Sequence, residues 1–118
     1  MHDSGHATAF GKCILAGLPL EQRMDYIDRH QLHDLTPNTI TSRRVLEQRL
    51  ADETDIWADA EEYLLGTSCR AAPIRVGDTV GAVAVSLPSR RAADPAPSVA
   101  LRRAARRLGW AISQPITI

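Results

Sequence analysis

A chain of 118 residues fits one domain, and a domain of that size buries only about two thirds of its unfolded surface, so one modest core is the ceiling. Aromatics make up only 4%, so that core must be built from Ala, Leu, Val and Ile. With 14 basic residues against 14 acidic ones there is no global electrostatic drive toward phosphate backbones or anionic lipid, and the apolar runs fall far short of the roughly 20 residues a membrane span needs.

The opening MHDSGH reads as frayed. After it, Thr8 is a candidate N-cap for a short buried helix carrying Phe10, Ile14 (with Cys13) and Leu18 at helical spacing. Pro19 suits the first position of a second helix, with Leu20, Met24 and Ile27 on its apolar face. A Thr-Pro-Asn loop follows, and Thr41 or Ser42 can cap a third helix, ending near Asp52, that turns Val45, Leu46, the stem of Arg49 and Leu50 inward. "DIWAD" is a short strand candidate, and "SCRAAPIRV" and "TVGAVAVSL", joined by Gly77-Asp78, read as two strands of a hairpin. A Pro/Ala linker leads to a closing helix from Ser98, with Leu101, Ala105, Leu108 and Ile112 inward and Arg102, Arg103, Arg106 and Arg107 outward. The pattern is that of a small α+β domain short of sheet.

Cys13 and Cys69 lie far apart, and no apolar segment follows Met1, so both are expected as reduced thiols in a cytoplasmic protein. A catalytic Cys69 would need a base, yet none of His2, His6, His30 and His33 stands at motif spacing. Free cysteine on an apolar strand is most often a small buried hydrophobe, and that reading leads. His30-x-x-His33 lacks the further ligands of a metal site, and no phosphate loop occurs, so neither metal nor cofactor is expected. Glu61 and Glu62 are adjacent and point different ways, which argues against paired acid/base work; solvated loop charges are the expectation, above all for Glu62. The arginine stripe reads as the wet side of its helix rather than a nucleic-acid surface. What remains is a constellation: a helix start at Ala9 and Phe10, whose unpaired amides can hold a small anion, an acid at Asp59, a thiol at Cys69 and a hydroxyl at Ser86.

Four blocks in order, "GHATAFGKCILAGLP", "LTPNTITSRRVLEQRLAD", "DAEEYLLGTSCRAAPIR" and "GAVAVSLPSR", closely resemble the C-terminal effector-binding domain of IclR-type bacterial transcription regulators over nearly the whole chain. The resemblance implies an α/β (α+β) fold with a GAF-like antiparallel sheet flanked by helices, incomplete here, spanning residues 1–118. It also implies a non-enzymatic sensor that binds a small organic acid and forms homo-oligomers. Carried over residue by residue, the effector-binding set is Ala9, Phe10, Asp59, Cys69 and Ser86.

Several positions depart from the family pattern. Ala60 stands where a second acid is usual, Ala84 where a serine is, Phe10 where small residues are common, and Ser86-Leu87-Pro88 replaces an S-G-P turn. These imply a smaller, more apolar pocket or a decayed one. The family's winged helix-turn-helix, linker helix and first effector-domain strands precede the H-A-T-A block, whereas this chain starts just upstream of that block. The expectation is therefore a module without its own DNA-binding domain, prone to self-association and unable to read duplex DNA specifically. A structural remnant and, less favoured, a small enzyme using Cys69 are the alternatives.

Overall fold

A computed structural model describes residues 4–52 and 54–113. Helices α1 (Ala9–Gly17), α2 (Leu20–Arg29) and α3 (Arg43–Ala51) precede strands β1 (Trp57–Ala60), β2 (Thr67–Val76) and β3 (Thr79–Pro88); a 3-10 turn at Ser89–Arg91 leads to α4 (Ala96–Ser113). The three strands form one antiparallel sheet in the order β1-β2-β3, so the fold is α+β, as expected.

Local chemistry sets most boundaries. The Thr8 hydroxyl accepts from the Gly11 amide at 3.0 Å and starts α1, and Ser42 accepts from the Val45 amide at 3.3 Å and starts α3. Pro19 is the N-cap of α2, one position earlier than its expected place. Gly77 and Asp78 make the two-residue hairpin turn, with φ 58° at Gly77 alone, the pattern in which glycine is wanted at the first central position.

Successive strand residues face opposite sides of the sheet. On one side Trp57 and Ala71 pack with Ala9, Cys13 and Leu15 of α1, Ile27 of α2, and Leu46 and Leu50 of α3 in a single core cluster. Each fully buried Leu or Ile there contributes about 1.5–3 kcal/mol. On the other side α4 is tied down at its start by Arg70, whose guanidinium donates to the carbonyl of Asp94 at 2.5 Å, to the Ser98 hydroxyl at 3.1 Å and to the carbonyl of Ala92.

The helices turn more of their apolar face to solvent than periodicity predicts. In α1 the buried set is Ala9, Gly11, Lys12, Cys13 and Leu15, while Phe10 is 48% exposed. Leu20, Arg49, Leu108 and Ile112 are likewise exposed. A three-stranded sheet is too narrow to cover every stripe, so α4 buries Leu101 and leaves its last two turns open.

Candidate ligand-binding site

The strand register places Asp59 opposite Cys69, and Cys69 opposite Ser86. One residue from each strand thus stands in a single row on the side of the sheet that α1 covers, with Cys69 Sγ 3.4 Å from Ser86 Oγ. The start of α1 faces this row. Its first intrahelical bond runs from the Lys12 amide to the Thr8 carbonyl at 2.9 Å, and Thr8 Oγ1 takes the Gly11 amide, so the amides of Ala9 and Phe10 have no acceptor within the helix. Between row and helix lies a cavity of about 500 Å³, lined by Ala9, Phe10, Asp59, Cys69 and Ser86 together with Ser4, Thr8, Tyr63, Leu64, Thr67, Ala84 and Val85. All five residues picked from sequence share it. Phe10, Tyr63 and Leu64 are exposed at its apolar mouth.

Asp59 is held by the turn that follows it. The residue is 1% exposed and accepts the Glu62 amide on Oδ1 at 2.6 Å. Glu62 is not the solvated loop charge expected from sequence: it is buried, its Oε1 2.8 Å from Nζ of the equally buried Lys12, and its Oε2 accepts the Ala60 amide at 3.1 Å. Glu61 adopts φ 57°, and its Oε1 accepts the Gly66 amide at 2.7 Å. The long loop before α3 closes the arrangement, since the hydroxyls of Thr36 and Thr39 donate to the carbonyls of Glu61 and Glu62, each at 2.5 Å. His6 adds a further tie, its Nε2 lying 2.9 Å from the His33 carbonyl and donating to it.

Burial pushes the Asp59 carboxyl above the usual aspartate range, with the Glu62 charge helping and the amide bonds and Lys12 opposing. Such a group takes up a proton more readily than an exposed aspartate and can then donate to an anion. Lys12 is spent on Glu62, so the site's positive character comes from the helix start.

Sequence reasoning missed Lys12 and Glu62. The available signal was a lysine inside the buried stripe of α1, which requires a buried acid somewhere in the fold. It also missed Tyr63, Leu64 and Thr67, which reach the cavity through the path of the β1–β2 connection.

The remaining candidates lie elsewhere. Cys69 is partly exposed rather than a fully buried hydrophobe, and no histidine lines its cavity among the described residues. His30 stacks on Tyr26 with ring centroids 4.0 Å apart. His2 falls outside the described residues. On α4, Arg102 pairs with Asp55 at 2.6 Å, while Arg103, Arg106 and Arg107 are exposed. No described helix is long and apolar enough to cross a membrane.

The family model for the C-terminal region of bacterial IclR transcriptional regulators matches residues 2–114. The HTH-type transcriptional repressor AllR of Klebsiella pneumoniae is 36% identical over 90 residues, which are 73% of this chain and 33% of that protein. The crystal structure of the Thermotoga maritima IclR superposes with a TM-score of 0.85 at 29% identity, covering 93% of this chain and 47% of that one. A double mutant of the PobR inducer-binding domain from Acinetobacter, solved in complex with 3-hydroxybenzoic acid, superposes with a TM-score of 0.78 at 27% identity, covering 89% of this chain and 66% of that one. The chain therefore spans about a third of its AllR relative and about half of the Thermotoga regulator.

Proposed function

The chain belongs to the IclR family of bacterial transcriptional regulators, corresponding to their C-terminal effector-binding domain, and from that premise we propose that the cavity under the start of α1 is a sensor site for a small organic acid. The observation that carries the reading is the row Asp59–Cys69–Ser86 facing unspent amides of Ala9 and Phe10 across one cavity. The ligand carboxylate sits on those amides, while Asp59 and Ser86 engage its polar substituents and Cys69 forms part of the wall. A hydroxyl on the ligand suits Asp59 as acceptor; against the carboxylate itself, Asp59 must be protonated, and its raised pKa favours that. The hydroxybenzoate bound by the PobR domain is an acid of this class.

The function is non-enzymatic in this reading, in line with the transcriptional regulators that the chain resembles. DNA is contacted through a separate winged helix-turn-helix, and the protein works in the cytoplasm as a homo-oligomer. The exposed apolar residues Leu108 and Ile112 at the end of α4 offer surface for a second copy.

A second reading rests on Ala84, which lines the cavity without a hydroxyl: a decayed pocket in a domain kept for oligomerisation. Thermal-shift screening against hydroxybenzoates and small keto and hydroxy acids, followed by titration of Ser86→Ala and Cys69→Ala, separates the two. Stabilisation by at least one acid is expected, with Ser86→Ala weakening binding about tenfold or more. No stabilisation by any acid favours the decayed pocket, and stabilisation untouched by both substitutions means that the acid binds elsewhere.

A further inference from the structure

The other end of α1 overlies a larger cavity, of about 830 Å³. Its apolar lining comes from Ala16, Leu50, Trp57 and Pro73, and four charged residues, Arg23, Arg75, Asp52 and Asp55, complete it. Gly17 lets the helix end settle here, since a Cβ at that position would come within 2.5 Å of a Val80 methyl, and Val80 is the register partner of Arg75. From Cys69 to Arg75 is six residues along β2, so the two cavities lie roughly 20 Å apart along the strand.

Two of the four charges are already committed. Arg23 donates through Nε and Nη2 to the carbonyls of Leu15 and Ala16, at 3.1 and 3.0 Å, and Asp55 is paired with Arg102. Arg75 and Asp52 are exposed, and neither side chain has a hydrogen-bond or ion-pair partner among the described residues. The Arg75 charge is felt on the α1 side of the sheet: it partly offsets the burial that pushes the Cys13 thiol up to about 11. One guanidinium and one carboxylate without a partner among the described residues thus border a single cavity without pairing to each other.

We propose that this cavity is a second ligand site, taking a small aliphatic carboxylate that also bears an amino or hydroxyl donor. The ligand carboxylate pairs with Arg75, the donor bonds to Asp52, and the aliphatic body covers Leu50, Pro73 and the Trp57 edge. A ligand with an acid and no donor meets Asp52 as an unanswered charge and binds less well.

The probes are leucine, 2-hydroxy-4-methylpentanoate and 4-methylpentanoate, which share a body and a carboxylate and carry an amine, a hydroxyl or neither. Each is titrated by calorimetry and by Trp57 fluorescence in a Trp110→Phe background. Saturable binding of leucine or the hydroxy acid with a change in Trp57 emission is expected, weakened about tenfold or more by Arg75→Ala and unaffected by Ser86→Ala. Asp52→Asn should remove the preference over 4-methylpentanoate. The proposal fails if no probe binds, if Trp57 emission does not respond, or if Arg75→Ala leaves affinity unchanged. Loss of binding in Ser86→Ala instead would assign the probe to the other cavity and overturn this one without touching the reading of the first.

Discussion

The two ends of α1 attract anions by different means. At its start, the attraction is carried by backbone: unspent amides of Ala9 and Phe10 at the positive pole, with Cys69, Ser86 and a readily protonated Asp59 opposite. At its end the helix pole is negative, Arg23 is consumed in capping it, and among the described lining residues Arg75 alone supplies free positive charge. A site built from backbone depends on where the helix sits, and a site built from one side chain depends on that side chain. Substitutions should therefore harm the first through the scaffold and the second directly.

The largest effect is expected at the scaffold of the first site. Glu62→Ala leaves Lys12 buried without its partner and should cost about 3–5 kcal/mol of folding stability by urea denaturation, because a lone buried charge is much worse than none. A cost near zero would mean that the Asp59 turn is held by its backbone bonds alone, and the contrast between the two ends would lose its basis.

Caps at the two ends give an intermediate test. Arg23→Met removes two charged hydrogen bonds from the last carbonyls of α1 and should cost about 1.5–3 kcal/mol, whereas Thr8→Ala removes one neutral cap and should cost about 1 kcal/mol. Measured in one chemical-denaturation series, the reverse order would show that the helix is anchored at its start rather than its end.

The smallest effect concerns pH. The folded Asp59 has a raised pKa, so the native state holds its proton more tightly than the unfolded chain does. The stability this confers is complete below the ordinary aspartate range and fades as pH rises through the raised value. Asp59→Asn keeps an oxygen for the Glu62 amide and has no charge to bury, so its melting temperature relative to the parent should climb between acidic and neutral pH. A difference that stays constant with pH would mean that the carboxylate is solvated in the native state, and the first site would then resemble the second in resting on exposed charge.

How much of this could be read in advance depends on the distance over which each feature is encoded. Thr8 and Ser42 caps and the Gly77-Asp78 hairpin are signals spanning a few residues, and they were legible because local hydrogen bonding determines them; periodicity located the helices but not which of their apolar residues, such as Phe10, Leu20, Leu108 and Ile112, stay exposed. The five cavity residues were found through block resemblance; their spacing alone left the constellation unproven. Only the tertiary structure aligned Asp59, Cys69 and Ser86, because register across three strands is set jointly by the hairpin and by which face α1 buries. The pairing of Lys12 with Glu62, fifty positions apart, was illegible for a related reason. A glutamate beside another glutamate in a loop carries no local mark of burial, and it became an interior charge when α1 and the Asp59 turn were folded against each other.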